Sequence, residues 1–169
     1  MSEGRWKCTN EKVRILVIDD DENIRSVLTA ILEDEGYTVE TADTAKKGIE
    51  KSEKEFYNLA LIDIRLPDME GTQLLAKIRE TKPKMRKIIV TGYPTLQNAV
   101  AAVNKGADAF IMKPFDVDKI LQTIKEQLQK QKEEKSFTEA KVAEFIETRV
   151  KELEALDEIA IKNRVDSSF

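Results

Sequence analysis

Histidine is absent from this 169-residue chain. Imidazole acid–base catalysis, imidazole zinc sites and phosphohistidine chemistry are therefore excluded within it. A single cysteine, Cys8, rules out an internal disulfide and a thiolate-rich metal site, and reads as an incidental free thiol. No apolar run approaches the roughly 20 residues that cross a bilayer. The polar stretch Met1 to Asn10 also lacks the apolar segment of a secretory signal, so a cytoplasmic protein with no membrane association is expected. Lysine and arginine never run beyond a pair, and the formal net charge is −4. Neither feature suits a nucleic-acid binder, whose footprint is a basic patch or stripe. The Gly-x-x-x-x-Gly-Lys loop of nucleotide-hydrolysing enzymes is missing too.

What is present is a highly charged chain, 36% charged against 41% hydrophobic, long enough for one domain of about 120 residues plus an appendage. Three segments share one grammar. Ala60-Leu61-Ile62 runs into Asp63, with Pro67 and Gly71 beyond; Val13 to Ile18 runs into Asp19-Asp20-Asp21; Lys87 to Val90 runs into Thr91-Gly92. Near-continuous apolar runs separated by helical patterns are what a parallel sheet buried on both faces requires. In such a sheet the carboxyl ends of the strands point one way and form the ligand-binding edge. Asp19, Asp20, Asp63 and Thr91 should converge there.

Between the strands, Ile24, Val27, Leu28, Ile31 and Leu32 recur at helical spacing, capped by Asp21 or Asn23 and closed by Gly36. Tyr37 to Thr41 alternates as a short strand, and Thr44 opens a helix with Ala45 and Ile49 inward. A third helix begins near Thr72, with Leu74, Leu75 and Ile78 inward and Pro83 at or soon after its end. The fourth, after Gly92 and Pro94, is expected to bury Ala99, Val100 and Val103 and close at Gly106. A last short strand, Ala109 to Met112, stops at Lys113-Pro114. From Asp116 onward only helical character remains, with Val117, Ile120, Leu121, Ile124 and Leu128 inward and then a polar run from Gln129 to Lys135.

Carboxylates held within a few ångströms repel one another unless a cation sits among them. Oxygen-only ligands suit Mg²⁺, which takes one or two carboxylates, keeps waters and binds phosphate oxygens. With a hydroxyl and the Lys113 ammonium beside it, such a pocket is arranged for phosphoryl transfer onto Asp63 as nucleophile.

Val17 to Asp21, Leu61 to Gly71, Ile89 to Tyr93 and Ala107 to Phe115 together resemble the receiver domain of two-component response regulators, over roughly residues 12–130. The resemblance implies an α/β, flavodoxin-like, doubly wound five-stranded parallel sheet of order 2-1-3-4-5 with helices on both faces. It implies Asp63 as phosphoacceptor and Thr91 and Lys113 as its partners in catalysis. The Mg²⁺ shell would comprise Asp20, Asp19 mostly through water, Asp63 and the backbone carbonyl of Arg65. Thr91 and Phe110 would form the switch, and Lys113-Pro114 would be cis. The phosphoryl donor would be a sensor histidine kinase or phosphotransfer protein. Arg65 and Tyr93, both bulky and near the pocket, would hinder an attacking water and give a moderately long-lived phosphate.

Residues 1–11 read as a lead-in, with Trp6 a candidate to dock on the domain. Residues 131–169 read as a helical extension in which Ser136-Phe137-Thr138-Glu139 marks a new helix start. There Val142, Ile146, Val150, Leu153, Leu156 and Ile159 or Ala160 follow gaps of four or three. The stripe could join a homodimer, fold back on the fifth helix or dock on a partner protein, and a spacing close to a heptad seam favours a homodimer through residues 136–160. Residues Asn163 to Phe169 should fray. With five Lys/Arg against eight Asp/Glu in residues 136–169, direct nucleic-acid binding is not expected. The favoured reading is a phosphorylation-controlled switch that signals through protein contacts and turns over no external substrate. A pseudo-receiver scaffold or dimerisation module, and a transcriptional regulator acting through a partner, are the alternatives.

Overall fold

The computed structural model describes residues 12–167; the lead-in, Trp6 and Cys8 lie outside them. Ten elements alternate: β1 Arg14–Ile18, α1 Glu22–Asp34, β2 Thr38–Ala42, α2 Ala45–Lys54, β3 Leu59–Ile62, α3 Gly71–Lys77, β4 Arg86–Thr91, α4 Leu96–Asn104, β5 Ala109–Met112 and α5 Val117–Asp166. The five strands form one sheet, ordered β2-β1-β3-β4-β5, and every pairing is parallel. The expected doubly wound order is the observed one. The chain divides after Gln131 into two units.

Strand alternation splits the core into two layers. Leu16, Ile18, Ala60, Ile62 and Ile89 face α2, α3 and α4, meeting Ala45, Leu74, Leu75 and Ala102. Ile15, Val17, Leu59, Leu61, Ile88 and Val90 face α1 and α5, meeting Leu28, Leu32, Ile120 and Ile124. Each large aliphatic side chain so enclosed contributes about 2 kcal/mol. Helix ends follow the expected chemistry. Asp21 caps α1 by accepting from the amides of Asn23 and Ile24, and Thr44 caps α2. Gly36 and Gly106 adopt φ of 89° and 95°, where a side chain would be strained. Lys113-Pro114 is cis as the resemblance implied; Lys82-Pro83 is cis as well.

Five expectations fail. In α4, Val100 and Val103 are 50% and 67% exposed while Ala102 is fully buried. The small Ala side chain lets the helix backbone approach the sheet, and this turns the valines outward. Val27 of α1 and Val117 at the start of α5, both expected inward, are likewise nearly half exposed, because each sits at the margin of its helix's buried face. No helix begins at Ser136, because α5 runs without a break to Asp166. Its Gln, Lys and Glu residues are good helix formers with no Gly or Pro among them, and Thr138 turns its hydroxyl back onto the Glu134 carbonyl at 2.9 Å instead of capping. The fraying expected from Asn163 is absent up to Asp166 for the same reason.

Arg14 of β1 donates to Glu40 of β2 at 2.6 Å and also reaches Glu55, while the fully buried Tyr57 donates its hydroxyl to Glu40 at 2.6 Å. The Tyr57 hydrogen bond, opposed by burial and reinforced by Arg14 and Lys51, holds the Glu40 carboxyl below its usual range. A carboxyl lowered by folding stabilises above its ordinary pKa of about 4.3, and that increment is lost as pH falls through the lowered value. Glu40→Gln is expected to lower the urea midpoint at pH 7 and to shrink the drop between pH 7 and pH 3 relative to wild type. An unchanged pH slope would show that this cluster plays no part in acid stability.

Candidate acidic site at the carboxyl edge of the sheet

Parallel register brings the acidic residues together. Ile18 pairs with Ile62, so the residues that follow them, Asp19 and Asp63, emerge side by side from β1 and β3. The Asp63 amide donates to the Ile18 carbonyl at 2.9 Å, extending the ladder by one bond and fixing the backbone of Asp63. Asp20, next to Asp19, stays exposed, and carboxylate oxygens of Asp19, Asp20 and Asp63 all lie within 4.8 Å of one another.

Lys113, just beyond β5, reaches this group from the opposite side. Its ammonium lies 2.6 Å from Asp19 and 3.4 Å from Asp63. Burial works against the lysine charge, but the hydrogen bond and charge of Asp19, and then Asp63, raise its pKa above the ordinary value. The Asp63 pKa is raised as well, which for a carboxyl disfavours the charged form. Burial pushes its carboxyl up, Asp19 adds repulsion, and Lys113 only partly offsets them. Thr91, fully buried at the end of β4, accepts the Tyr93 amide at 3.1 Å through its hydroxyl. Phe110 of β5 is half-buried against the same layer as Ile89, its partner in register. By alternation Thr91 and Phe110 share one face of the sheet. Arg65 and Tyr93, on the loops after β3 and β4, stack with the guanidinium 3.4 Å from the ring centroid.

The oxygen inventory discriminates between the carboxylates. Asp19 uses one oxygen for the Asp21 amide at 2.9 Å and the other for Lys113. Asp63 leaves Oδ1 buried without a hydrogen-bond partner. A buried anionic oxygen in that condition is costly unless a cation meets it. Three clustered carboxylates with no nitrogen or sulfur donor suit a hard divalent ion such as Mg²⁺, so the residues present fit one.

Two residues that hold the site together escaped the sequence reading. A side chain on Gly71 would overlap the backbone carbonyl of Asp63, while the Gly71 amide donates to Ile64 at 2.7 Å. Asp68 accepts from the amides of Ala45 and Lys46 at 2.9 and 2.8 Å, tying the β3–α3 loop to the start of α2. Gly71 was legible only as a turn breaker, because nothing local says which backbone approaches it.

The family model for the response regulator receiver domain matches residues 15–125. The chain is 35% identical over 138 residues to the transcriptional regulatory protein ZraR of Klebsiella oxytoca, covering 81% of this chain and 31% of that protein. It is 34% identical over 121 residues to the transcriptional regulatory protein GlrR of Escherichia coli K12, covering 72% and 27%. The chain thus spans about a third or less of these relatives. Among solved structures, a CheY-like receiver domain protein from Methanospirillum hungatei superposes with a TM-score of 0.70 at 54% identity, covering 73% of this chain and 98% of that one. The beryllofluoride-activated NtrC4 receiver domain dimer superposes with a TM-score of 0.66 at 39% identity, covering 70% and 98%.

A carboxyl whose pKa is raised by folding destabilises the fold where it is ionised. The loss is absent below the ordinary aspartate value of about 3.9 and complete above the raised one. With divalent ions chelated, Asp63→Asn is therefore expected to melt higher than wild type at pH 7, the two curves converging toward pH 3. Gly71→Ala is expected to lose about 1–3 kcal/mol in urea unfolding as the Asp63 carbonyl is displaced. Gly92→Ala is its control, since there the nearest atom to an added Cβ is the Lys113 Cβ at 4.0 Å, and it should be close to neutral.

Proposed function

The chain belongs to the response regulator receiver domain family, and on that premise we propose that Asp63 is its phosphoacceptor, charged by the phosphohistidine of a separate sensor kinase or phosphotransfer protein. The observation that carries the reading is the unpartnered, buried Asp63 Oδ1 amid Asp19, Asp20 and Lys113. Asp63 attacks phosphorus in line, the bond from phosphorus to the donor imidazole breaks, and the imidazole leaves with a proton. Lys113 lies where its ammonium can neutralise charge on the phosphoryl oxygens. Asp20 and Asp63 would hold Mg²⁺ directly, with Asp19 acting through water and the Arg65 carbonyl completing the protein ligands; the ion supplies charge neutralisation at the phosphoryl group. Asp19 suits the indirect role because both its oxygens are engaged.

The aspartyl phosphate adds charge and acceptor oxygens. Thr91 exchanges the Tyr93 amide for a phosphate oxygen, vacating space on the face it shares with Phe110, which turns inward. A bias of about 1.4 kcal/mol shifts the two states tenfold. The surface of α4, β5 and α5 changes with them, and output passes through protein contacts. The chain turns over no external substrate. Residues 136–160 join two copies of the chain through their apolar stripe. A transcriptional output is the second reading, favoured by the names of the curated relatives; the acidic balance of residues 136–169 argues against that segment as the DNA contact.

Incubating the full chain with Mg²⁺ and acetyl phosphate is expected to add one phosphoryl group to wild type and none to Asp63→Asn, with chelation abolishing uptake. Labelling of the variant at the wild-type level would sink the assignment. The Arg65–Tyr93 stack, on the loops that follow Asp63 and Thr91, should hinder an attacking water, giving a phosphate lasting minutes or longer and faster decay in Arg65→Ala. Loss from wild type within seconds would contradict that shielding.

A further inference from the structure

In the second unit, Val142, Ile146, Val150, Leu153, Leu156 and Ile161 are 46 to 63% exposed. Their spacing of three to five residues gathers them on one side of the helix. Two charged residues fall inside that apolar face. Arg149 lies three residues after Ile146 and four before Leu153; Asp157 lies four after Leu153 and four before Ile161. The two charges are thus placed symmetrically about Leu153, with opposite sign. Arg149 bonds Glu152 at 2.8 Å, but both side chains are more than half exposed, a pair of little worth that exchanges readily. Asp157 has no ion-pair partner among the described residues.

Charged residues within a seam fix how two helices may align. Parallel and in register, Arg149 would meet Arg149 of the second copy and Asp157 would meet Asp157, two like-charge contacts in a desolvating surface. Antiparallel about Leu153, each Arg149 meets an Asp157. Ile146 then falls near Ala160, Val150 near Leu156 and Ile161 near Phe145 of the second copy, while Val142 meets Arg164 at the ends of the pairing. Resting on the reading that residues 136–160 join two copies, we propose that the two helices run antiparallel with their two-fold axis at Leu153, locked by reciprocal Arg149–Asp157 pairs.

Sedimentation equilibrium on the full chain tests this with Arg149→Asp, Asp157→Arg and the double variant. Each single change replaces two attractive pairs by two repulsive ones and is expected to weaken dimerisation by about tenfold, while the double variant returns to within about twofold of wild type. In a parallel dimer each single change only swaps the sign of a like-charge contact, so unchanged single variants would overturn the orientation. In a Cys8→Ser background, chains carrying Ile146→Cys and Ala160→Cys should cross-link to each other when mixed. Preferential cross-linking of Ile146→Cys to itself would also overturn the proposal. A wild-type chain that stays monomeric, or that associates only with a different protein, ends both the homodimer reading and this orientation. It leaves the Asp63 assignment intact, because phosphoryl uptake is measured separately.

Discussion

Two carboxylates from neighbouring strands share one ammonium, and the rest of the acidic edge is arranged around that imbalance. Asp19 and Asp63 are forced side by side by strand register, not drawn together by attraction. At the 4.8 Å limit on their separation, repulsion between two such charges is about 3 kcal/mol at an effective dielectric constant of about 20. Lys113 cannot satisfy both equally. It sits 2.6 Å from Asp19 and 3.4 Å from Asp63, leaving Asp63 with one oxygen bare and its carboxyl pushed up. A site in this condition gains from any event that places positive charge beside Asp63 or converts it to an ester held by new donors.

That gain can be realised only if the carboxylates cannot relax apart, and the backbone prevents this. Asp63 is bonded to β1 through its amide and has Gly71 packed against its carbonyl. Asp68 ties the following loop to α2 through two amides, which hold its carboxyl below the usual range despite the opposing effect of burial. Arg25 of α1 donates to the Asp19 carbonyl at 2.8 Å. Relief through side-chain chemistry is therefore easier than relief through backbone motion.

The sheet and the acidic edge were legible because both depend on local patterns. A run such as Leu61-Ile62 followed by Asp63 declares a buried strand and its end, and parallel topology does the convergence. Helix caps at Asp21 and Thr44 follow from side-chain reach alone. What was not legible depends on tertiary approach. Val100 and Val103 satisfied the helical period, but the residue of α4 that the core encloses is the smaller Ala102. The capping-box pattern at Ser136 competed with the propensity of the flanking Gln, Lys and Glu residues and lost. Gln127 and Gln131, easily read as solvated, are about 5% exposed. Their amide groups bond the carbonyls of Asp108, Asn58 and Lys84 at 2.7 to 3.3 Å, a role no periodicity reveals.

The exposed valines of α4 and the buried glutamines of α5 bear on how a change at Asp63 could travel. On the face shared by Thr91 and Phe110, α4 buries only Ala102 completely and leaves Leu96, Val100 and Val103 exposed by 80, 50 and 67%. Displacing such a helix disturbs little core, so its opening free energy should lie at the low end of the domain's range. The receiver part of α5 is held differently, by Ile120 and Ile124 in the core and by the glutamine amides on backbone carbonyls at the other end of the strands. A shift at Thr91 therefore meets one loosely held helix and one firmly held one. Rearrangement of the α4–β5–α5 surface should therefore begin at the α4 side, where less buried contact has to be given up.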